Sequence, residues 1–498
     1  MSGAPAQRLL GAAWALLAGS SALYFLGDNE ADNDLWMHLY GGRRILDAGA
    51  VPRLDDASYT AAGLPWVDHE WLTQIGMAAL YAGGGSPLLW TVKLALALLT
   101  AWLLWLTVRR HAASPWARGA VMVLALAVMG RGYAVRPQVI TYLGVAALLW
   151  WLDRAGRAAP GWTTFAAVFA AFCLWANAHG AVIAGLGILG LWAVIGDAPP
   201  AQPPRATRLA LLAVAVLGVC LNPYGPGLLA YIATELRVPH PISEWQPLSF
   251  ADPAQRPAVA MLLALAATLP FTRLLRRRWW WAALVALVVA MALRSQRHTP
   301  LLALCAAAPL AEQAERLLAR LAARTQFRLS DAATALVAIA LVGLAAAQLG
   351  QLGTRLWRDG GQLVYEGDEY PVGAVRYLRE TARSGNLALP LDWGGYLLWH
   401  AAPAIKVSLD GRFATVYPPA VVDDGFAFFR GDGHPAGARL LDEYPTSLVL
   451  VPRGIPTPLE SRSGWTLLYT DEVAALYGRD GPAASVPSAA PRGRLAFP

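Results

Sequence analysis

The chain has 498 residues, 56% of them hydrophobic and 15% charged, with a mean hydropathy of +0.41. These values exclude an ordinary soluble globular domain and a disordered chain, and describe an integral membrane protein. The net charge of +7 does not point to nucleic acid, because the arginines are dispersed through short loops between apolar runs, as orientation signals are.

A membrane-crossing helix needs roughly 20 apolar residues. In chain order, apolar runs predict helices at 9–26, 88–108, 118–130, 138–152, 162–176, 180–196, 209–221, 257–272, 279–293, 300–311 and 331–353, about eleven in all. The first is expected to be a retained helix rather than a cleaved signal peptide, since so many spans follow. Cys173, Cys220 and Cys305 lie inside apolar runs and read as small buried hydrophobes. With the N-terminus inside, sixteen arginines fall on the cytoplasmic side and nine in the outer loops before residue 354, which satisfies the positive-inside rule. Residues 1–353 then form a transmembrane domain, and the remainder faces outward.

Several polar stretches share the outer side: "RGYAVRP" (131–137), "WANAHG" (175–180), "NPYG" (222–225), "SEW" (243–245) and "RSQRH" (294–298). The runs 118–130 and 209–221 have thirteen residues each. Each spans only roughly 20 Å, which would leave Arg131 and Asn222 below the outer surface, facing a water-filled cavity.

Loop 27–87 is too long for a connector. It opens with "DNEADNDLWMH" (28–38), which gathers Asp28, Glu30, Asp32, Asp34 and His38 at the membrane edge. The segments 34–49 and 66–81 carry apolar residues at helical spacing and predict amphipathic helices lying at the interface. The stretch between them is rich in turn residues. Helix capping accounts for Asp32 or Asp34 taken alone, but not for four acids. Asp28, Glu30, Asp32 and Asp34 also offer oxygen ligands for a divalent cation such as Mg²⁺ or Mn²⁺.

Beyond residue 353 the composition becomes that of a water-soluble domain. Residues 370–383 predict a helix, and "NLALPL", "KVSLD", "TSLVLVP", "WTLLYT" and "VAALYG" predict strands, giving a small α/β domain over 354–480. No phosphate loop, nucleophile elbow or dinucleotide fingerprint is present. "LDWGGYLLWH" (391–400) and "LDGR" (409–412) are its most unusual pieces, read as glycine turns with aromatics over a sheet or as a sugar or acceptor contact. The final residues 481–498 read as disordered.

The acids of the first outer loop, the many spans, the arginines and the outward C-terminal domain resemble the GT-C superfamily of membrane glycosyltransferases, which includes oligosaccharyltransferases and protein O-mannosyltransferases. The run "DNDLWMHLYGGRRILDAGAVPRLDDASYTAAGLPWVDHEWL", with "RPQ", "WANAHG", "NPYG" and "DWGGYLLW", resembles more closely a bacterial group of GT-C-like proteins. The resemblance implies a polyprenyl-phosphate sugar donor, a glycan, lipid or protein acceptor, and a site on the outer face of the bacterial inner membrane. It also implies that Asp34, with Asp32 as a second carboxylate, acts as the base of an inverting single displacement. A departing lipid phosphate develops negative charge, which Arg131, Arg136, Arg294, Arg297 and His298 are placed to bind. His38, Glu70, Asn177, His179, Glu244 and Trp245 are candidate substrate contacts. Two rival readings are a transporter or lipid-binding protein with a polar outward cavity, and an inactive scaffold. The chain shows no internal repeat matching a transporter's two halves.

Overall fold

A computed structural model of the protein describes residues 4–155, 160–197, 202–236, 243–325, 329–430, 435–457, 459, 462–479 and 493–497. The chain divides into two compact units. One comprises residues 1–29, 90–226 and 239–361; the other comprises 30–89, 227–238 and 362–498.

The first unit is helical, and its helices meet where small residues let them approach. Ala4–Leu26 packs on Pro115–Gly130 and Asp331–Arg358 through Leu10, Trp14, Leu17 and Ala345. The Trp14 ring meets Trp116 edge-on at 5.6 Å and lies over Gly119, where a Cβ would fall 2.2 Å from the indole. Buried hydroxyls find partners too: Ser20 and Ser21 donate to Gln348 Oε1 at 2.7 and 3.1 Å. Trp162–Ala178 and Arg205–Cys220 touch at Gly218, where a Cβ would lie 2.5 Å from the Phe169 carbonyl oxygen. Thr299–Thr325 is largely buried over residues 299–313 and packs against five other helices of the unit.

Helices occur at every predicted apolar run, and among the described residues four are long and apolar enough to cross a membrane: Pro5–Leu26, Trp71–Val108, Pro253–Phe271 and Asp331–Arg358. Several boundaries differ from expectation, Ala4–Leu26 and Asp331–Arg358 by five residues at one end each. Pro115–Gly130 and Arg205–Cys220 have 16 residues each, so each reaches roughly 24 Å, and the depth argument for Arg131 and Asn222 weakens accordingly. Proline at the first helical position after Ser114, and a polar first turn at Arg205–Arg208, start them early. The run expected to end at 311 continues to Thr325, where Glu312 accepts from the backbone N–H groups of Arg273 and Leu274 at 2.9 and 3.1 Å. Trp71–Val108 takes in the run 88–108 and the part of segment 66–81 from residue 71 on, broken at Gly84 and Gly85, the latter with a φ of +64° that suits glycine.

The second unit is built on two sheets. Strands are β1 Val364–Glu366, β2 Gly385–Ala388, β3 Ile405–Val407, β4 Leu448–Pro452, β5 Thr466–Thr470, β6 Ala474–Gly478 and β7 Arg494–Ala496. The larger sheet runs β3-β2-β4-β6-β5, with β2 parallel to both β3 and β4 and the rest antiparallel. β1 pairs antiparallel with β7. The first loop joins both: Ala31 N–H donates to Val364 O at 2.8 Å, and Tyr59 N–H to Val407 O at 3.1 Å. The unit that carries the sheet is therefore made by the first loop together with the C-terminal residues.

Helix Asn33–Ala48 does not leave an apolar face for a bilayer, contrary to expectation. Trp36 is fully enclosed, stacked on Phe497 at 4.1 Å with the edges of Tyr396, Tyr365 and Tyr370 at 4.9, 5.3 and 5.9 Å. That cluster also corrects the expected disordered tail: residues 480–492 and 498 lie outside the described residues, but 494–496 form β7 because Phe497 fills the Trp36 pocket. "LDWGGYLLWH" is likewise a helix, Leu391–Ala401, not a turn.

Trp36→Ala is expected to destabilise the second unit by about 3–5 kcal/mol. Thermal unfolding read alongside amide hydrogen exchange should show lost protection at residues 494–496; unchanged exchange there would contradict the packing role given to Trp36.

Candidate functional site

In the second unit, the motifs that stood out in the sequence meet around Asp34. Helix Asn33–Ala48 starts with Asp32 as its N-cap, in extended conformation, whose Oδ1 accepts from the backbone N–H groups of Asp34 and Leu35, both at 3.1 Å. Asp34 occupies the first turn. Against this helix lies Leu391–Ala401, close enough that a Cβ on Gly395 would come 3.2 Å from Met37 N. A Cβ on Gly394 would strike the Leu409 carbonyl oxygen at 2.3 Å, so the "LDGR" turn is pressed against the same helix. Gly411 of that turn faces Asp34, and a Cβ there would be 2.9 Å from its Oδ1. Tyr370 donates to Asn33 Oδ1 at 2.5 Å. Asp392, in the first turn of Leu391–Ala401, has its carboxyl pushed up by burial and then by the charge of Asp34.

The "LDGR" turn is held by buried charge. Arg412 donates to Asp410 through Nε at 2.9 Å and Nη2 at 2.7 Å, and through Nη1 to Asp55 of the first loop at 2.6 Å. Its guanidinium lies 4.8 Å from the Trp66 ring centroid, and Tyr417 donates to Asp410 Oδ2 at 2.6 Å. Burial opposes charge at Asp410, but Arg412 and the hydrogen bonds outweigh it and hold that carboxyl below its usual range.

A second group of ionisable side chains sits beside the same helix. His38 Nδ1 lies 3.7 Å from Glu70 Oε2, and His69 Nε2 lies 3.8 Å from Glu70 Oε1. Gly41 and Gly42 allow the approach: a Cβ on Gly42 would overlap the Gln74 carbonyl oxygen at 2.0 Å. Asp68 accepts from Glu70 N–H at 3.3 Å and Gln74 Nε2 at 3.0 Å, and burial with the charge of Glu70 raises its carboxyl to about 7.

In the first unit, five of the predicted residues form one group at a helix end. Arg136 Nη1 donates to Glu244 Oε1 at 2.9 Å, while Arg297 Nη1 lies 3.6 Å from Glu244 Oε2. Arg297 stands 5.2 Å from the Trp245 ring centroid, and His298 meets that ring edge-on at 6.1 Å. Arg131 is next to this group, donating to Gln296 Oε1 at 3.3 Å with Asp252 Oδ2 at 3.5 Å. Arg294 is exposed and is not a partner of Glu244.

Asn177 and His179 are both buried at the end of Trp162–Ala178. Asn177 Nδ2 donates to the carbonyls of Cys173 and Leu221 at 2.8 and 2.9 Å, and His179 Nδ1 is 2.7 Å from Thr141 Oγ1. Those bonds tie helix ends together. Of the four acids of "DNEADND", Arg355 engages Asp28 at 2.8 Å, backbone N–H groups engage Asp32, and Glu30 bridges to Val364 of β1. Among the described residues no three His, Cys, Asp or Glu side chains gather as a metal site.

Sequence reasoning missed Asp392, Asp68 and the Asp55–Asp410–Arg412 network. "LDGR" stood out as an unusual piece and Asp55 lay in a turn-rich stretch, but their partnership is a long-range contact that spacing cannot reveal.

No protein-family model matches the chain, and no curated protein matches it in sequence. Its fold is nonetheless similar to solved structures. The oligosaccharyltransferase of Archaeoglobus fulgidus in the apo form aligns at a TM-score of 0.58 and 12% identity, over 89% of this chain and 69% of that one. The archaeal oligosaccharyltransferase AglB from the same organism, in complex with an inhibitory peptide and a dolichol-phosphate, aligns at 0.57 and 11% over the same shares. The likeness is one of fold, the GT-C fold.

Asp68 gives a signed pH dependence. A carboxyl raised in the folded state contributes stability that is complete below the unfolded value near 3.8 and is lost as pH rises to about 7. Asp68→Asn removes this loss, so the melting temperature of the variant relative to the parent should rise between pH 5 and pH 7 and level off above pH 8. A pH-independent difference in melting temperature would show that Asp68 is ionised in the folded protein.

Proposed function

We propose that this chain is a membrane glycosyltransferase. It would take a sugar from a polyprenyl-phosphate-linked donor and pass it to a hydroxyl of a glycan, lipid or protein acceptor on the extracytoplasmic side of a bacterial inner membrane, where the second unit faces. The observation that carries the reading is the seat of Asp34: on a GT-C fold, an acid in the first turn of a helix stands where the "DNDLWMH", "LDWGG" and "LDGR" segments meet. The neighbouring oligosaccharyltransferase was solved with a dolichol-phosphate and a peptide, which supports a lipid-linked donor here.

The chemistry is a single displacement. The acceptor oxygen attacks the anomeric carbon, the bond from that carbon to the lipid phosphate oxygen breaks with inversion, and Asp34 takes the hydroxyl proton. No covalent intermediate is needed. Asp34 is preferred over Asp32 because the latter's carboxylate is engaged by two backbone N–H groups. Arg136, Arg297 and Arg131 are the proposed partners of phosphate oxygens, since forked guanidinium groups suit them, and His298 is proposed to add a ring N–H. Glu244, now shared by two of these arginines, would yield as the departing lipid phosphate gains its second negative charge. Full crossing of the bilayer by the shorter apolar helices, giving about eleven spans, belongs to the same proposal.

The test is release of polyprenyl phosphate from lipid-linked sugars by the purified chain. Asp34→Asn should lower turnover by roughly 10²–10⁴-fold, the range for a general base. Asp32→Asn, which preserves a capping side chain, should retain most activity, while Asp32→Ala should cost about 1 kcal/mol of stability. Equal turnover in the parent and Asp34→Asn defeats the assignment of the base; donor binding without turnover in the parent points to a scaffold.

A further inference from the structure

We infer that Gly411 is a positioning residue for Asp34, and that the buried Arg412 clamp fixes where it stands. The inference rests on the reading of Asp34 as the base. Asp410 and Arg412 are 0% and 6% exposed, whereas Gly411 between them is exposed, so the clamp presents one residue without a side chain at the surface beside Asp34.

The backbone does not demand glycine here, since Gly411 is not among the positive-φ residues. Space does. A Cβ at position 411 would meet Asp34 Oδ1 at 2.9 Å and Cγ at 4.0 Å, and no other atom of the described residues within 4 Å. The one group that an added methyl would disturb is the carboxyl proposed to receive the acceptor's proton. The missing side chain therefore leaves room beside Asp34 Oδ1, so that the carboxyl keeps its place.

Around that opening everything is fixed. Arg412 N–H donates to Asp410 Oδ1 at 3.0 Å across Gly411, closing the turn, and the guanidinium anchors it to Asp55 at 2.6 Å. Asp55 in turn accepts from Ser58 N–H at 3.1 Å and Ser58 Oγ at 2.5 Å, so the anchor itself is held. On the other side Gly394 leaves room for Leu409 and Asp410. Lysine could not replace Arg412, because it has no planar fork to bridge two carboxylates.

The experiment compares Gly411→Ala, Arg412→Lys and a remote control, Gly353→Ala, where an added Cβ meets nothing. Gly411→Ala should keep the parent's melting temperature and donor KM while kcat falls roughly 10- to 100-fold, the size of effect a misplaced reacting group produces. Arg412→Lys should lower both kcat and melting temperature, and Gly353→Ala neither. A second readout needs no turnover. In a chain carrying Asp34→Cys, with Cys173, Cys220 and Cys305 changed to alanine, adding Gly411→Val should slow labelling by a small aqueous thiol reagent at least ~5-fold, and adding Gly353→Ala should not. A parent without turnover defeats the glycosyl-transfer reading and leaves positioning to the labelling result. Unchanged kcat for Gly411→Ala in an active parent, or unchanged labelling, overturns the inference.

Discussion

The second unit depends on one buried guanidinium. Taking an ion out of water costs several kcal/mol, which only excellent geometry offsets. Arg412 has that geometry: a two-point bond to Asp410, a third to Asp55, and the Trp66 face beneath. These partners come from the turn-rich part of the first loop and from the segment after β3. Once they are tied, Tyr59 and Val407 share a backbone bond, Thr60 Oγ1 reaches Ser408 O at 2.5 Å, and the "LDGR" turn is set against Asp34. An apolar replacement of similar volume could pack that space. It could not fix the register between two segments so distant in sequence.

The first unit uses charge at its helix ends, and there exposure separates two similar arrangements. Asp153, near the end of Gln138–Arg154, is approached by Arg110 and Arg278 at 2.7 Å and by His111 at 3.0 Å, with its side chain only 1% exposed. Glu244 is likewise shared by two arginines, but its side chain is 39% exposed. Losing a partner at Asp153 strands a buried charge, whereas at Glu244 water takes over. The first is a lock. The second is a solvent-screened pair.

Elements set by local periodicity were legible in the sequence. Apolar runs gave the helices of the first unit to within a few residues at most ends, and period-two stretches gave strands β2 to β6. What failed was long-range. Segment 34–49 has the pattern of an interfacial helix, but an apolar face looks the same whether lipid or protein covers it, and here Tyr365, Tyr370, Tyr396 and Phe497 cover it. The paired glycines of "LDWGGYLLWH" suggest a turn by propensity, yet they serve close helix contact, where the absence of Cβ outweighs their low helix preference. The acid-rich stretch stood out as a region without revealing which acids meet in the fold.

Helix geometry decides that last point. An N-cap side chain must fold back onto the free N–H groups of its own first turn, so the Asp32 carboxylate is turned toward the backbone that it caps. Asp34, two residues on and roughly 200° around the helix, cannot share that direction. It faces the "LDGR" turn, and His38, one turn further along the same face, meets Glu70. Adjacent acids in sequence are therefore divided by the helix they begin. The carboxyl that feels the charge of Asp34 comes from another helix start, Asp392, brought there by packing at Gly394 and Gly395. A pair of carboxyls at this site is a product of the fold.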